Sequence, residues 1–226
     1  MKDTLINQLK FAFYPDEFFS AKSKEPARWS KPFLIVFING VLASIMLGYG
    51  AYRLLPYFLK GLTPSTSAFL GVVAGLLGAP LAWYLAGLLT FVLSLLFKKG
   101  DEDLSKVLEF LGYGTFPLIF AGLFSLPLVF RVLNDPGIYS YLEGAYFTDF
   151  STILEYVKPV IKIIVMRPSA VLVAVIGLLF TYWTVYLLIF GIKNARNLSM
   201  EKTLTFLLFI VGIVTVVSGG VIAAII

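Results

Sequence analysis

The side chains that could do chemistry are few, and the most versatile types are missing. The chain contains no histidine and no cysteine. That removes the commonest general base and metal ligand, together with thiol chemistry and disulfides. Without histidine no serine is activated in a hydrolase triad, and no cluster of acids has metal-ligand spacing. What remains is Glu109 at the entry of one apolar segment and Arg53 just past another. Ionisable groups in hydrocarbon are functional candidates by default, but both of these reach headgroup level, where solvation is the expected state. Asp101-Glu102-Asp103 has the composition of a divalent-cation site; three adjacent acids before a helix also form a cap that complements the helix dipole, and that is the reading adopted. Gly112-Tyr113-Gly114 has the look of a phosphate-binding loop, yet it lacks the Gly-Lys-Ser/Thr ending and lies within an apolar stretch. The expectation is a protein that is not an enzyme, with no catalytic residues, no metal and no cofactor.

The elements that carry these residues are dictated by composition. Of 226 residues, 59% are hydrophobic and only 14% charged, against about a quarter charged in soluble domains. Disorder is excluded by the same figures. The net charge of +5 lies between apolar blocks, a pattern that orients a membrane protein rather than one that binds nucleic acid. The first 32 residues are polar without an apolar core, so no signal peptide is expected. Five segments are long and apolar enough to cross a bilayer, which takes about 20 residues. They run over about 33–52, 67–97, 110–130, 169–192 and 203–226. The predicted fold is an all-α bundle of five transmembrane spans, with residues 1–32 as an N-terminal segment and 131–168 as an external loop. Pro80 should kink or break the second span, and Pro117 and Pro127 make the third irregular. The polar residue of the first span, Asn39, is too little for a coupled transporter.

Twelve of the eighteen Lys and Arg residues fall before the first span and in the second and fourth connections. By the positive-inside rule this predicts a cytoplasmic N-terminus and an external C-terminus. Within residues 1–32, Leu5, Leu9, Phe13, Phe18 and Phe19 flank Tyr14-Pro15-Asp16-Glu17, which suggests an amphipathic helix lying in the headgroups. Phe18, Phe19 and Trp29 would be interfacial wedges, and Lys22, Lys24 and Arg28 contacts to anionic lipids. In the external loop, Ile153, Val157, Val160, Ile161 and Ile164 share a face and predict a surface helix bent at Pro159. Small residues mark the second span in two adjacent stripes, Ala74-Gly78-Ala82-Ala86 and Gly71-Gly75-Ala79. Such spacing lets helix backbones approach closely. Gly40, Ser44 and Gly48 supply a matching stripe in the first span, so packing between these two spans is expected, with homodimerisation as the alternative.

The third span reads Leu111-Gly112-Tyr113-Gly114-Thr115-Phe116-Pro117. A Gly-Tyr followed four residues later by proline at the start of a middle span resembles the signature of the Yip domain family, small five-span proteins named for interaction with Ypt/Rab GTPases. Pro15-Asp16-Glu17-Phe18-Phe19 before the first span is similar to prokaryotic-type members, as are Trp183, Gly191-Ile192-Lys193, Asn197-Leu198-Ser199 and Lys202. The resemblance covers roughly Phe11 to the end. It implies the same five-span architecture and makes Gly112, Tyr113 and Pro117 a structural break. The Asp-Leu-Tyr-Gly-Pro motif of eukaryotic members is absent before the first span, so GTPase binding is not carried over. Absent cysteine and a single glutamine lean toward a thermophilic prokaryote, which places the protein in an archaeal-type cell membrane.

Two functions are compatible with this reading. In the first, a non-catalytic membrane protein organises the bilayer or recruits a partner through residues 1–32. In the alternative, a small transporter, channel or permease-like subunit has its site at the proline breaks of spans two and three.

Overall fold

The computed structural model describes residues 10–59, 61–96, 103–142 and 159–208, and among them all regular structure is helical. The helices are α1 (Pro15–Ser23), α2 (Ser30–Phe58), α3 (Pro64–Ser94), α4 (Leu104–Gly114), α5 (Pro117–Leu133), α6 (Pro136–Leu142) and α7 (Pro168–Ala195). Residues 10–13, 159–165 and 200–208 are helical as well. Four stretches among the described residues are long and apolar enough to cross a membrane: α2, α3, α4 with α5 as one unit over Leu104–Leu133, and α7. The predicted fifth span, 203–226, opens inside the helical turns of 200–208 and otherwise lies outside the described residues. So do Asp101, Glu102 and the 153–158 half of the predicted loop helix, whose 159–165 half is helical.

Local chemistry sets the boundaries. Proline opens α1, α3, α5, α6 and α7, the first-turn position where its missing N–H costs nothing. The Thr63 hydroxyl caps α3 by accepting from Thr66 N–H at 3.2 Å, and the Asp103 carboxylate caps α4 by accepting from Ser105 N–H at 2.8 Å. Helix α7 ends with Asn197 at φ 47°, where Leu198 N–H bonds back to the Lys193 carbonyl at 2.9 Å. Leu198 and Ile192 then share a small apolar cluster, completing a Schellman stop.

Of the kink or break expected at Pro80, a break does not occur: α3 runs through it as one helix. The third span does break. Residues 115 and 116 leave the helix between α4 and α5, because Pro117 has no N–H to return to the Tyr113 carbonyl; Phe116 N–H takes that carbonyl instead at 3.2 Å. The Asn39 amide reaches across from α2 and donates to the Thr115 carbonyl at 3.1 Å. The polar residue of the first span thus ties α2 to the break, as a second donor to a carbonyl that also accepts from Leu118 N–H at 3.0 Å.

Helices α2 and α3 form the most intimate pair, α5 packs on α7, and α4 touches α2, α3 and α7. Of the two small-residue stripes, Gly71 and Gly75 face α2. A Cβ on Gly75 would stand 2.3 Å from the Ser44 backbone, and one on Gly71 would stand 2.3 Å from the Leu47 carbonyl oxygen. Gly78 has open space around it, and Ala74 and Ala82 are exposed. Large apolar side chains cover the outside of the spans, Leu77 and Leu178 among them. A surface of that kind matches lipid tails rather than water.

Candidate functional site

The centre of the molecule is not a long span but the eleven-residue helix α4. Every residue from Val107 to Gly114 is buried, so this helix is enclosed on all sides. Glycines make the enclosure possible. A Cβ on Gly112 would lie 2.5 Å from Pro32 Cβ, one on Gly114 2.3 Å from Leu188, and one on Gly87 2.2 Å from Leu108. Gly112 is therefore the seat on which the start of α2 rests.

On its other flank α4 receives the N-terminal segment. Phe11 and Phe19 are almost completely buried. The Tyr113 ring stands 5.2 Å from both Phe11 and Phe18, and Phe19 packs on Phe110 at 4.9 Å. Aromatic pairs at such distances add to the area they bury. Phe19, expected to wedge into headgroups, is inside the protein, and Phe18 is half-buried against the same rings. The physical reason is that α1 turns these two rings onto α4 and packs along α7. The Trp183 indole N–H donates to the Ala12 carbonyl at 3.2 Å. Trp29 donates to the Ser105 carbonyl at 3.2 Å and Trp83 to the Leu108 carbonyl at 3.0 Å. All three tryptophans thus fasten α4 or the segment docked on it.

Charge locks the same junction. Glu109, expected to be solvated, has a side chain that is 0% exposed. Its Oε2 accepts from Lys106 Nζ at 3.0 Å, and its Oε1 lies 3.7 Å from Lys22 Nζ. Lys106 spends its other two donors on the carbonyls of Glu25, at 2.6 Å, and Lys22, at 3.1 Å. Those carbonyls lie at the C-terminal end of α1, where a cation is favoured. Lys22 also donates to the Glu25 carboxylate at 2.6 Å. At the other end of α1, Asp16 accepts two bonds from Lys193 Nζ, at 2.8 and 2.9 Å, and one from Asn194 at 3.0 Å. These bonds, Lys193 first and Asn194 second, hold the Asp16 carboxyl below the usual carboxylate range. Arg196, at the foot of α7, is fully buried with its guanidinium 5.0 Å above the Phe91 ring.

The arrangement is a clamp. The buried Glu109 carboxylate faces Lys106 and Lys22, as burial requires, and the Arg196 guanidinium lies over an aromatic ring. Of the residues singled out in the sequence, Phe18, Phe19, Lys22, Gly112 and Tyr113 converge here, and Pro117 opens the next helix. Trp29 sits half-exposed against Trp83, while Lys24 and Arg28 point outward. The sequence reading missed Phe11, Asp16, Lys106 and Glu109 as partners. The one available signal was Lys106 and Glu109 at i,i+3 in an otherwise apolar helix.

A model of the Yip1 domain matches residues 9–222 of the chain. The chain belongs to the Yip1 domain family. It is an integral membrane protein, as the family and the four apolar helices together require. A relative in Methanocaldococcus jannaschii, an uncharacterized protein, is 27% identical over 129 residues, covering 56% of this chain and 90% of that protein. No solved structure matches the chain. The Gly112-Tyr113…Pro117 signature that pointed to the Yip1 family is, in this structure, the middle of the buried junction.

Proposed function

We infer that this Yip1 protein is a non-catalytic membrane scaffold that recruits a partner at its basic end. The observation that carries the reading is the docking of residues 10–31 into the core of the bundle. A segment fixed by Phe11, Phe19 and two sets of ion pairs does not move between membrane and protein; it presents a constant outer surface. That surface is cationic and aromatic: Lys24, Arg28 and Lys31 are exposed, and Phe13 and Tyr14 are 66% and 62% exposed. A partner with acidic groups around an apolar patch fits it, with electrostatics setting the encounter rate.

The same end gathers most of the positive charge. Lys22, Lys106 and Lys193 meet there through the contacts above, whereas Arg53 and Arg167 belong to the opposite end. This supports a cytoplasmic N-terminus in a prokaryotic, archaeal-type cell membrane, with a fifth span over 203–226 returning the C-terminus to the outside. The transporter alternative placed its site at proline breaks in spans two and three. Its ground is weakened by the continuity of α3 through Pro80 and by the Asn39 amide that fills the break at Thr115.

The test is photo-crosslinking from position 28 in native membranes, with and without charge reversal at Lys24 and Lys31. A discrete protein adduct that disappears on charge reversal is the expected result. Adducts to lipid alone would reject recruitment in favour of bilayer organisation. Deleting residues 1–32 is unsuitable, because it would remove Phe11 and Phe19 from the core.

A further inference from the structure

The end of the bundle opposite the clamp holds a cavity of about 630 Å³, lined by Tyr52, Arg53, Tyr57, Asn134, Tyr139 and Ser140 among others. It lies where α2 ends, α3 begins and α5 turns into α6, the level at which spans give way to headgroups. Its volume falls within the range of small-ligand sites.

The donor and acceptor balance of the lining is one-sided. Arg53 Nε donates to the Tyr139 hydroxyl at 3.0 Å, and the guanidinium carbon sits 4.4 Å above the Tyr139 ring. Tyr139 in turn donates to the Leu133 carbonyl. This chain fixes the guanidinium by one edge and leaves its two terminal nitrogens without a partner among the described residues. Asn134 accepts from the Tyr49 hydroxyl at 2.7 Å through its oxygen, which leaves its NH₂ group as a donor. The hydroxyls of Tyr52 and Tyr57 have no bond among the described residues. No carboxylate is among the described lining residues. The neighbouring acid, Asp135, is occupied by Arg167 at 2.7 and 3.0 Å and by Gly137 N–H at 2.9 Å. A cavity whose described lining carries an oriented guanidinium, no acid and a surplus of donors is built for an anion.

We propose that this cavity binds a phosphate-bearing anion, its phosphate held by the guanidinium of Arg53 and the amide of Asn134. The volume exceeds that of bare phosphate and suits a glycerophosphate unit. Such a unit can come from a phospholipid headgroup in the adjoining leaflet or from a soluble phosphate ester; the recognition chemistry is the same.

The test uses the full chain in a neutral maltoside detergent and saturation binding read by native mass spectrometry. The probes are dihexanoyl phosphatidylglycerol, the deacylated glycerophosphoglycerol, and dihexanoylglycerol, which lacks phosphate. Saturable binding of the phosphatidylglycerol alone supports the proposal and assigns a lipid. Equal binding of the deacylated headgroup supports it and assigns a soluble ester. In either case Arg53→Gln should weaken binding about tenfold or more, the loss of a charge-assisted contact. Asn134→Asp keeps the acceptor for Tyr49 and places a negative charge in the cavity, so it should also abolish binding even if Arg53→Gln does not fold. Absence of saturable binding to either phosphate probe, binding of dihexanoylglycerol as tight as its phosphate analogue, or wild-type affinity in Asn134→Asp would overturn the proposal.

Discussion

Replacing Lys106 by methionine isolates the energetics of the clamp. Methionine keeps most of the stem volume but removes the ammonium, and with it the bonds to Glu109, Glu25 and Lys22. Glu109 then remains fully buried, with Lys22 at 3.7 Å as its nearest cation. Removing one partner of a buried pair costs about 3–5 kcal/mol. The remaining Lys22 charge offsets part of that, so a loss of about 3 kcal/mol is expected. Removing both charges with Lys106→Met and Glu109→Leu should cost far less than the two single changes added together, because no buried charge is then left unpaired. The assay is equilibrium denaturation in a detergent–SDS titration followed by tryptophan fluorescence, since Trp29, Trp83 and Trp183 all sit at the junction. A single Lys106→Met change within about 0.5 kcal/mol of wild type, the range of an ordinary surface substitution, would refute the clamp. So would strict additivity in the double variant.

Gly112→Ala should destabilise by about 2 kcal/mol, since the added methyl meets Pro32 Cβ at 2.5 Å and overpacking costs about 1–3 kcal/mol; the same titration reads it. Gly78→Ala, with open space at the site, should be neutral or stabilising by up to about 1 kcal/mol from helix propensity, and a clear loss there would mean that Gly78 meets another helix. The Asp16 carboxyl is held below its ordinary range, so its contribution to docking is full above about pH 4. It is lost only as pH falls through the lowered value. Proteolysis of the N-terminal segment should accordingly be flat from about pH 8 to 5 and rise only in stronger acid, whereas onset near pH 6 would exclude Asp16 as the titrating group. Because the chain has no cysteine, single cysteines at Lys24 and Ser140 can be labelled without background. Label from the cytoplasmic side should reach position 24 and not 140, and the reverse pattern would invert the orientation.

Membrane insertion, four of the five expected spans and the family were legible in the sequence, because a bilayer imposes a one-dimensional rule. Hydrocarbon demands about twenty apolar residues with their backbone satisfied internally, and each span announces itself without reference to its neighbours. The Gly112-Tyr113…Pro117 signature was legible for the same reason, as a local pattern. What the pattern could not give was partnership. Phe18 and Phe19 read as lipid wedges because an amphipathic face looks the same whether it meets headgroups or protein. Glu109 read as solvated because its depth says nothing about which lysines converge on it. Two parallel stripes of small residues differ by a rotation of the helix, and only packing against α2 chose Gly71 and Gly75 over Gly78. Pro80 and Pro117 are equal as sequence, yet α3 continues through one and the third span breaks at the other, where the Asn39 amide docks. The sequence by itself determined that this chain lives in a membrane and which family it joins. Which faces meet, which charges are buried together and where a cavity remains were decided by tertiary structure, since those depend on residues far apart in the chain arriving at the same point.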